Sequence, residues 1–219
     1  MFIGHFAVAF GAKRYAPRVQ LAWLTACVAL ADLLWTIFLL LGWEHARIAP
    51  GDTAFTPFDL YDYPWSHSLL MLTVWGIAVG AAYFWRKKDA MGAWVLGVCV
   101  LSHWVLDWVT HRPDMPLYPG GPKLGLDLWN SIPGTLIVET AMFVIGLWIY
   151  ATATREKNRV GRYALWAYAV LLLVIFHADR FSPPPDNIRE VAMTGLIATV
   201  VLLAWAWWFD GNREVAARI

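Results

Sequence analysis

The stretch 91–110, MGAWVLGVCVLSHWVLDWVT, decides the fold class, because about twenty residues with a single charge, Asp107, can cross the hydrocarbon core of a bilayer as one helix. Five further apolar runs of comparable length flank it, at 19–43, 67–85, 133–152, 163–181 and 191–209. Loops rich in Pro and Gly, such as 112–123, separate the runs. We therefore predict an all-α fold: a polytopic membrane helical bundle of about six transmembrane helices, formed as one domain by residues 1–219.

The composition of the whole chain favours the same class. Hydrophobic residues make up 59% and charged residues 15% of the chain, and the mean hydropathy is +0.51. A soluble domain has about 45–50% hydrophobic residues and about 25% charged residues. A disordered chain is also excluded, since it needs low hydrophobicity and high charge. The net charge of +1 does not indicate a nucleic-acid partner. Cys27 and Cys99 lie inside apolar runs, where we expect them to be small buried hydrophobic residues.

The first twelve residues form a shorter apolar segment that cannot span a bilayer. The charges of Lys13, Arg14 and Arg18 follow this segment instead of preceding it, so we expect it to be retained and not to act as a signal peptide. Non-spanning backbone is tolerated at membrane depth where protein buries it. We therefore predict a short re-entrant half-helix that carries His5 about 12–15 Å into the membrane.

Lys and Arg are divided unequally between the two sets of loops. If the N-terminus is cytoplasmic, twelve of the 17 lie on the inner side and five on the outer side. The outer five are Arg47, Arg112, Lys123, Arg180 and Arg189. Short loops rich in Lys and Arg stay in the cytoplasm. Both termini are therefore predicted to be cytoplasmic, with loops 44–64 and 112–132 outside.

Ionisable residues interrupt the apolar runs at a similar depth. At 1.5 Å per residue, Asp32 lies about 21 Å beyond Arg18, and His103 lies about 22 Å beyond Lys88. His67 opens the second run at the outer face. A charged side chain at the bilayer centre costs at least about 2.5–3.5 kcal/mol, so such residues indicate a functional site in the outer half of the membrane.

The strongest local pattern is SHWVLDWVTHRPD at 102–114, which places His103, Asp107 and His111 at successive i, i+4 positions. Residues at this spacing share one helix face, with Cβ atoms about 5–6 Å apart. His103 and Asp107 can therefore ligate one divalent metal ion, for which zinc is the first choice. His111, about 12 Å along the axis from His103, either binds a second ion or faces the outer water. Hydrogen bonds between helices are the alternative explanation for all of these residues.

Three carboxylates are candidates for a general base. Glu139 lies six residues inside the fourth run, about 9 Å below the outer surface. It can equally support a metal-ligating His or bridge two helices through a hydrogen bond. Asp59 and Asp62 belong to the outer loop 44–64. The chain has no G-x-S-x-G motif, so a serine hydrolase is not indicated.

Four short motifs carry a resemblance to a known family. They are Gly4-His5, Ala31-Asp32, Ser66-His67-Ser68-Leu69-Leu70 and Ser102-His103-Trp104-Val105-Leu106-Asp107. These motifs, within about residues 1–125, resemble the YdjM-like family of predicted inner-membrane, metal-dependent hydrolases. The order of the His and Asp residues is also weakly similar to the zinc-dependent phospholipase C and S1/P1 nuclease families, which cleave phosphoesters with clustered zinc ions. The resemblance implies a bacterial inner membrane protein.

The weaker similarity also implies a ligand set. One ion would be held by Asp32, His67, His103 and Asp107. Asp107 would bridge to a second ion near His5. The chain departs from the YdjM-like pattern at Leu33 and Leu34, where a second acidic residue often follows.

The predicted function is a membrane-embedded hydrolase with one or two divalent ions, acting on a phosphoester. A site in the outer half of the bilayer suits a lipid or lipid-linked substrate at the outer leaflet. The alternative is a non-enzymatic small transporter or ion-binding protein that uses the same buried residues, since intramembrane Asp and His also mark ion pathways. The sequence has no internal repeat of the kind common in transporters.

Overall fold

The apolar runs fold into helices, and the predicted all-α membrane bundle is confirmed. The computed structural model describes residues 1–179 and 181–216, which are mostly helical. In this part of the chain the helices are α1 (Ile3–Ala12), α2 (Leu21–Val28), α3 (Leu30–Leu41), α4 (Pro64–His67), α5 (Leu69–Lys87), α6 (Ala90–Thr110), α7 (Ile132–Ala153), α8 (Arg159–Asp179) and α9 (Ile188–Gly211). The helices α5 to α9 are each long and apolar enough to cross a membrane.

The first predicted span, 19–43, is broken into two helices at Ala29. The axes of α2 and α3 differ by 57° at the break. If the bent pair is counted as one span, the described residues contain six candidate spans instead of five. Neither Pro nor Gly lies between residues 19 and 41, so no residue of the run marks the position of the break. The bend matters for the site because it exposes helix-terminal backbone groups inside the bundle.

The N-terminal segment forms the short helix that was predicted for it. Ile3, His5 and Phe10 of α1 are all buried. The helix packs against α7, where Gly146 leaves no space for a Cβ atom beside the backbone of Ala7. With 10 residues it is about 15 Å long, so it lies within the bundle and is too short to span a bilayer.

One end of the bundle is held by buried polar contacts. Lys13, directly after α1, donates to Asp210 of α9 at 2.8 Å, and the Tyr150 hydroxyl of α7 donates to the same carboxylate at 2.7 Å. Beside them, β5 (Thr154–Glu156) pairs antiparallel with β6 (Arg213–Val215). These contacts place the ends of α1, α7 and α9 together.

The opposite end carries the long loops that cover the candidate site. Two antiparallel pairs of strands form there: β1 (His45–Ile48) with β2 (Phe58–Asp62), and β3 (Met115–Pro116) with β4 (Lys123–Leu124). Arg112 joins the two loops through ion pairs with Asp52, Asp59 and Asp114. Partial burial lowers the pKa of Arg112, but the neighbouring carboxylates outweigh it and raise the pKa above its ordinary value.

The two ends differ in positive charge. Among the described residues, eleven Lys and Arg lie at the end that holds Lys13, and four lie at the end that holds Arg112. Arg180 and Arg218 lie outside the described residues. The cytoplasmic location of the more basic end stays a prediction.

Candidate metal centre

Asp107 lies at the centre of a cluster of His and Asp side chains that belong to separate helices. Its Oδ1 atom lies 3.0 Å from His5 Nε2 of α1, and its Oδ2 atom lies 2.9 Å from His103 Nε2 one turn earlier on α6. The Met1 amino group also lies 2.5 Å from Oδ1. All of these groups are buried. The structure thus brings together the i, i+4 pair and the N-terminal His.

Asp32 and His67 complete the cluster on the other side of His103. The Oδ1 atom of Asp32 lies 3.5 Å from His67 Nε2 and 3.7 Å from His103 Nε2. His67 Nε2 is also 3.8 Å from Asp107 Oδ2. Two triads result, His5–His103–Asp107 and Asp32–His67–His103, and within each the ligand atoms lie within 4.8 Å of one another. This arrangement is compatible with metal binding.

The break between α2 and α3 positions two members of the cluster. Val28 is the last residue of α2, and its carbonyl oxygen accepts a hydrogen bond from His103 Nδ1 at 2.7 Å. In an uninterrupted helix that carbonyl would accept from the backbone four residues ahead. The break also places Asp32 in the first turn of α3, where the partial positive charge of a helix N-terminus favours a carboxylate.

His67 is oriented by a buried relay that ends at Glu44. The Ser66 hydroxyl donates to Glu44 Oε2 at 2.6 Å, so its oxygen is free to accept from His67 Nδ1, which lies 2.7 Å away. The other Glu44 oxygen, Oε1, accepts from the backbone N–H groups of Trp65 and Ser66 at 2.7 and 2.8 Å. Burial raises the pKa of Glu44, although these hydrogen bonds lower it in part. The relay holds the His67 ring through Nδ1 and directs Nε2 at the two Asp residues.

His111 is fixed in the same manner at the end of α6. Its Nδ1 atom lies 3.0 Å from Asp114 Oδ1, which also accepts from the Tyr63 hydroxyl at 2.8 Å. Its Nε2 atom is 3.8 Å from Asp107 Oδ2. His111 is buried and packs on Trp129, so it faces the cluster and not the outer water.

The donor set fits a metal ion. In His67, His103 and His111, Nδ1 is hydrogen-bonded to an oxygen, which leaves the Nε2 lone pair for the cluster. Metal-ligating His residues almost always have this arrangement, because the second hydrogen bond fixes the tautomer and the ring orientation. His5 Nδ1 is buried without a hydrogen-bond partner in the described residues, and His103 Nε2 lies 2.9 Å from Asp107 Oδ2 without the geometry of a hydrogen bond. Both arrangements cost free energy in the absence of a ligand.

Glu139 belongs to α7, and its side chain lies beside the start of α1 at the edge of the cluster. Its Oε2 atom accepts from the backbone N–H groups of Phe2 and Gly4 at 2.8 and 3.2 Å, and so caps the helix. Its Oε1 atom is buried and has no hydrogen-bond partner in the described part of the chain. Glu139 therefore combines a structural contact on one oxygen with a free acceptor on the other.

Asp59 and Asp62 are placed elsewhere, on β2. Asp59 is buried and forms ion pairs with Arg47 and Arg112, while Asp62 is half exposed and pairs with His45 at 2.9 Å. The structure does not bring either carboxylate to the cluster.

A cavity of about 380 Å³ opens beside the cluster. Its acidic and His side chains are Asp32, His67, Asp107, His111 and Glu139, and its aromatic walls include Trp35, Phe55, Phe58, Trp129 and Phe176. The Asp32 side chain is 48% exposed, against 3% for Asp107, so Asp32 is the carboxylate open to the cavity. A ligand in this space would contact the cluster directly.

Sequence reasoning missed the groups that orient the His residues. Glu44 and Asp114 were not predicted to contact a His, Ser66 was named only as part of the Ser66–Leu70 motif, and Val28 contributes only a backbone carbonyl. Two of them had a local signal: Ser66 directly precedes His67, and Asp114 lies three residues after His111. Glu44 had none, since it lies 22 positions before the Ser66 that it contacts.

The bundle and the buried cluster define an integral membrane protein whose interior is compatible with metal binding. The model of the YdjM inner membrane protein family matches residues 64–181, which is more than half of the chain. The protein belongs to this family. The matched region contains His67, His103 and Asp107 and begins after His5 and Asp32. No curated protein and no solved structure shows significant similarity to the chain.

Proposed function

We propose that the protein is a membrane-embedded, metal-dependent hydrolase that acts on a phosphoester of a lipid or lipid-linked substrate at the outer leaflet. The observation that carries the proposal is the common orientation of His67, His103 and His111. Each ring is fixed through Nδ1 and directs Nε2 toward Asp32 or Asp107. A merely structural role in a membrane helix does not require three rings to converge on two carboxylates.

The nitrogen and carboxylate donors are those that zinc-class ions prefer. The first ion would be held by Asp32, His67, His103 and Asp107. His5 and His111 both lie next to Asp107, so these three residues would hold a second ion. A divalent ion in this site would supply Lewis acidity, which polarises a phosphoryl oxygen and activates water.

The residues of the chain have distinct roles in this proposal. Asp32 is open to the cavity and positions the ion against the substrate. Glu139 borders the cavity, its buried Oε1 has no hydrogen-bond partner among the described residues, and it accepts a proton as the general base. The aromatic walls exclude water from the reacting group, which strengthens the electrostatic interactions inside the site.

Metal content of the purified protein tests the proposal. Mass spectrometry of the wild type should find zinc-class metal, and His103→Ala and Asp107→Ala should each lose most of it. His45→Ala is the matched control, because the exposed His45 ring pairs with Asp62 and stacks on Tyr61, away from the cluster. Hydrolysis of bis(4-nitrophenyl) phosphate should follow the metal content. Full metal occupancy in Asp107→Ala would refute the ligand set, and cation flux through vesicles without hydrolysis would favour a transporter.

A further inference from the structure

The cavity lies between one half of α8 and one half of α9. Ile175 of α8 and Val191 of α9 both line it, near the end of the bundle that carries the long loops. In the other halves the two helices are in direct contact, where Trp205 Nε1 donates to the Ala164 carbonyl at 3.1 Å. The two helices therefore contact each other directly in the halves that contain Ala164 and Trp205, and both border the cavity in their other halves.

The loop between β1 and β2 covers the cavity on its other side. Phe55 packs on Phe176 of α8 with ring centroids 5.6 Å apart. The neighbouring Ala54 N–H donates to the Asn130 side chain at 3.1 Å, which ties this loop to the segment before α7. The side of the cavity formed by Ile175 of α8 and Val191 of α9, called the gap below, belongs to two candidate membrane spans and so faces the bilayer. Ile175 is 41% exposed at this gap.

The lining shows what kind of ligand fits. Among the described residues that border the cavity, none is Lys or Arg, and most are aromatic or aliphatic. Trp35 and Trp129 both border the cavity, and the indole N–H groups of both are buried without a hydrogen-bond partner in the described residues. Unsatisfied buried donors are costly, so both indoles would be stabilised by a ligand oxygen that a rotation of the side chain brings within reach. The cavity therefore suits a molecule with acceptor oxygens and a hydrocarbon chain.

We propose that the gap between α8 and α9 holds the hydrocarbon chain of a membrane phospholipid whose headgroup oxygens accept from Trp35 and Trp129. This inference rests on the proposed function for the reaction and identifies the substrate as a lipid that enters sideways from the bilayer. At about 380 Å³ the cavity is at the lower end of the usual range for ligand pockets. It accommodates a headgroup and the start of one chain, and the rest of the chain stays in the bilayer.

Photo-crosslinking in nanodiscs tests the path of the chain. The nanodiscs contain phosphatidylethanolamine and phosphatidylglycerol, with a trace of phosphatidylglycerol that carries a diazirine near the carbonyl end of one chain. Mass spectrometry should locate adducts at Ile175 and Phe176. Val191→Trp fills the gap and should reduce these adducts at least fivefold. Val200→Trp is the matched control, because Val200 lies on the same helix, is exposed and does not border the cavity.

Metal content measured on the same samples separates the two proposals. Val191→Trp should retain the metal of the wild type, which shows that the cluster is intact. Adducts at Ile175 in a protein that holds no metal would support the lipid path and refute the hydrolase. The lipid path would be overturned if adducts were confined to outward-facing positions such as Ile137 and Trp148. It would also be overturned if adducts at Ile175 persisted in Val191→Trp. Either result stands even if the metal centre is confirmed.

Discussion

His5 and His103 stack face to face, with ring centroids 3.8 Å apart and planes 2° from parallel. The two rings contact opposite oxygens of Asp107. Two positively charged imidazoles would repel strongly at this distance in a buried site. The stack therefore disfavours a positive charge on both rings at once, and the two rings and Asp107 could together hold a metal ion.

Ser66 and Ser68, one on each side of His67, allow a controlled test of the hydrogen bonds that connect Glu44 to His67. Ser66→Ala removes the acceptor of His67 Nδ1–H, so the ring loses its fixed tautomer and orientation. Metal affinity should fall by about 10–100-fold, as is typical when the partner of a ligating His is lost. The measurement is competition for zinc against a chelator of known affinity.

Ser68→Ala is the control for this variant. Ser68 caps α5 by accepting from Met71 N–H at 3.3 Å, and loss of such a cap costs about 0.5–2 kcal/mol of stability. Ser68→Ala should therefore unfold at a lower temperature with unchanged metal affinity. Equal metal affinities in the two variants would show that the Ser66 relay does not support the metal.

Glu139→Gln should separate the capping role of Glu139 from its proposed role as a base. The amide oxygen of Gln can still accept from Phe2 and Gly4, so the helix cap and the metal content should be retained. The turnover of bis(4-nitrophenyl) phosphate should fall by about 10²–10⁴-fold, the usual contribution of a general base. Asp62→Asn is the control and should leave the rate unchanged. A Glu139→Gln variant with the wild-type rate would restrict Glu139 to its structural contact.

The sequence predicted the parts of the site that depend on regular geometry. His103 and Asp107 meet because residues four apart share a helix face, and Asp32 lies near His103 because the two residues were predicted at similar depth. The short helix that carries His5 was predicted because the first twelve residues are too few to span a bilayer. These relationships need only the helix rise and the thickness of the bilayer, whereas the addition of His67 to the ligand set was implied by the family resemblance.

The remainder of the site depends on tertiary structure that leaves little trace in the sequence. The break at Ala29 occurs in a run without Pro or Gly, so packing against other helices must decide it. The role of Val28 follows from that break and involves no side chain. Glu44 reaches Ser66 only because the loop after α3 folds back over α4. For the same reason, Asp59 and Asp62 could not be separated from the site by sequence position.

The orientation of the bundle can be tested by cysteine labelling in intact cells. Tyr118→Cys, at an exposed position in the loop after α6, should react with a membrane-impermeant maleimide. Lys87→Cys, at the end of α5, should react only after the cells are permeabilised, because the more basic end is predicted to be cytoplasmic. The native Cys27 and Cys99 are buried and give little background. The reverse labelling pattern would place the cavity at the cytoplasmic leaflet.

His5→Ala tests whether the centre holds one ion or two. His5 is a buried imidazole on a helix that cannot span the membrane, and its only hydrogen-bond partner among the described residues is Asp107. If His5 helps to hold a second ion, the variant should lose part of the metal, because Asp32, His67 and His103 remain for the first ion. It should lose most of the hydrolytic rate, and it should still fold, since Lys13 and Asp210 continue to anchor α1. Metal content, hydrolytic rate and thermal unfolding temperature, measured on the same preparation, show whether the centre holds one ion or two. A variant that keeps all of its metal and its full rate would make α1 a packing element and reduce the centre to one ion.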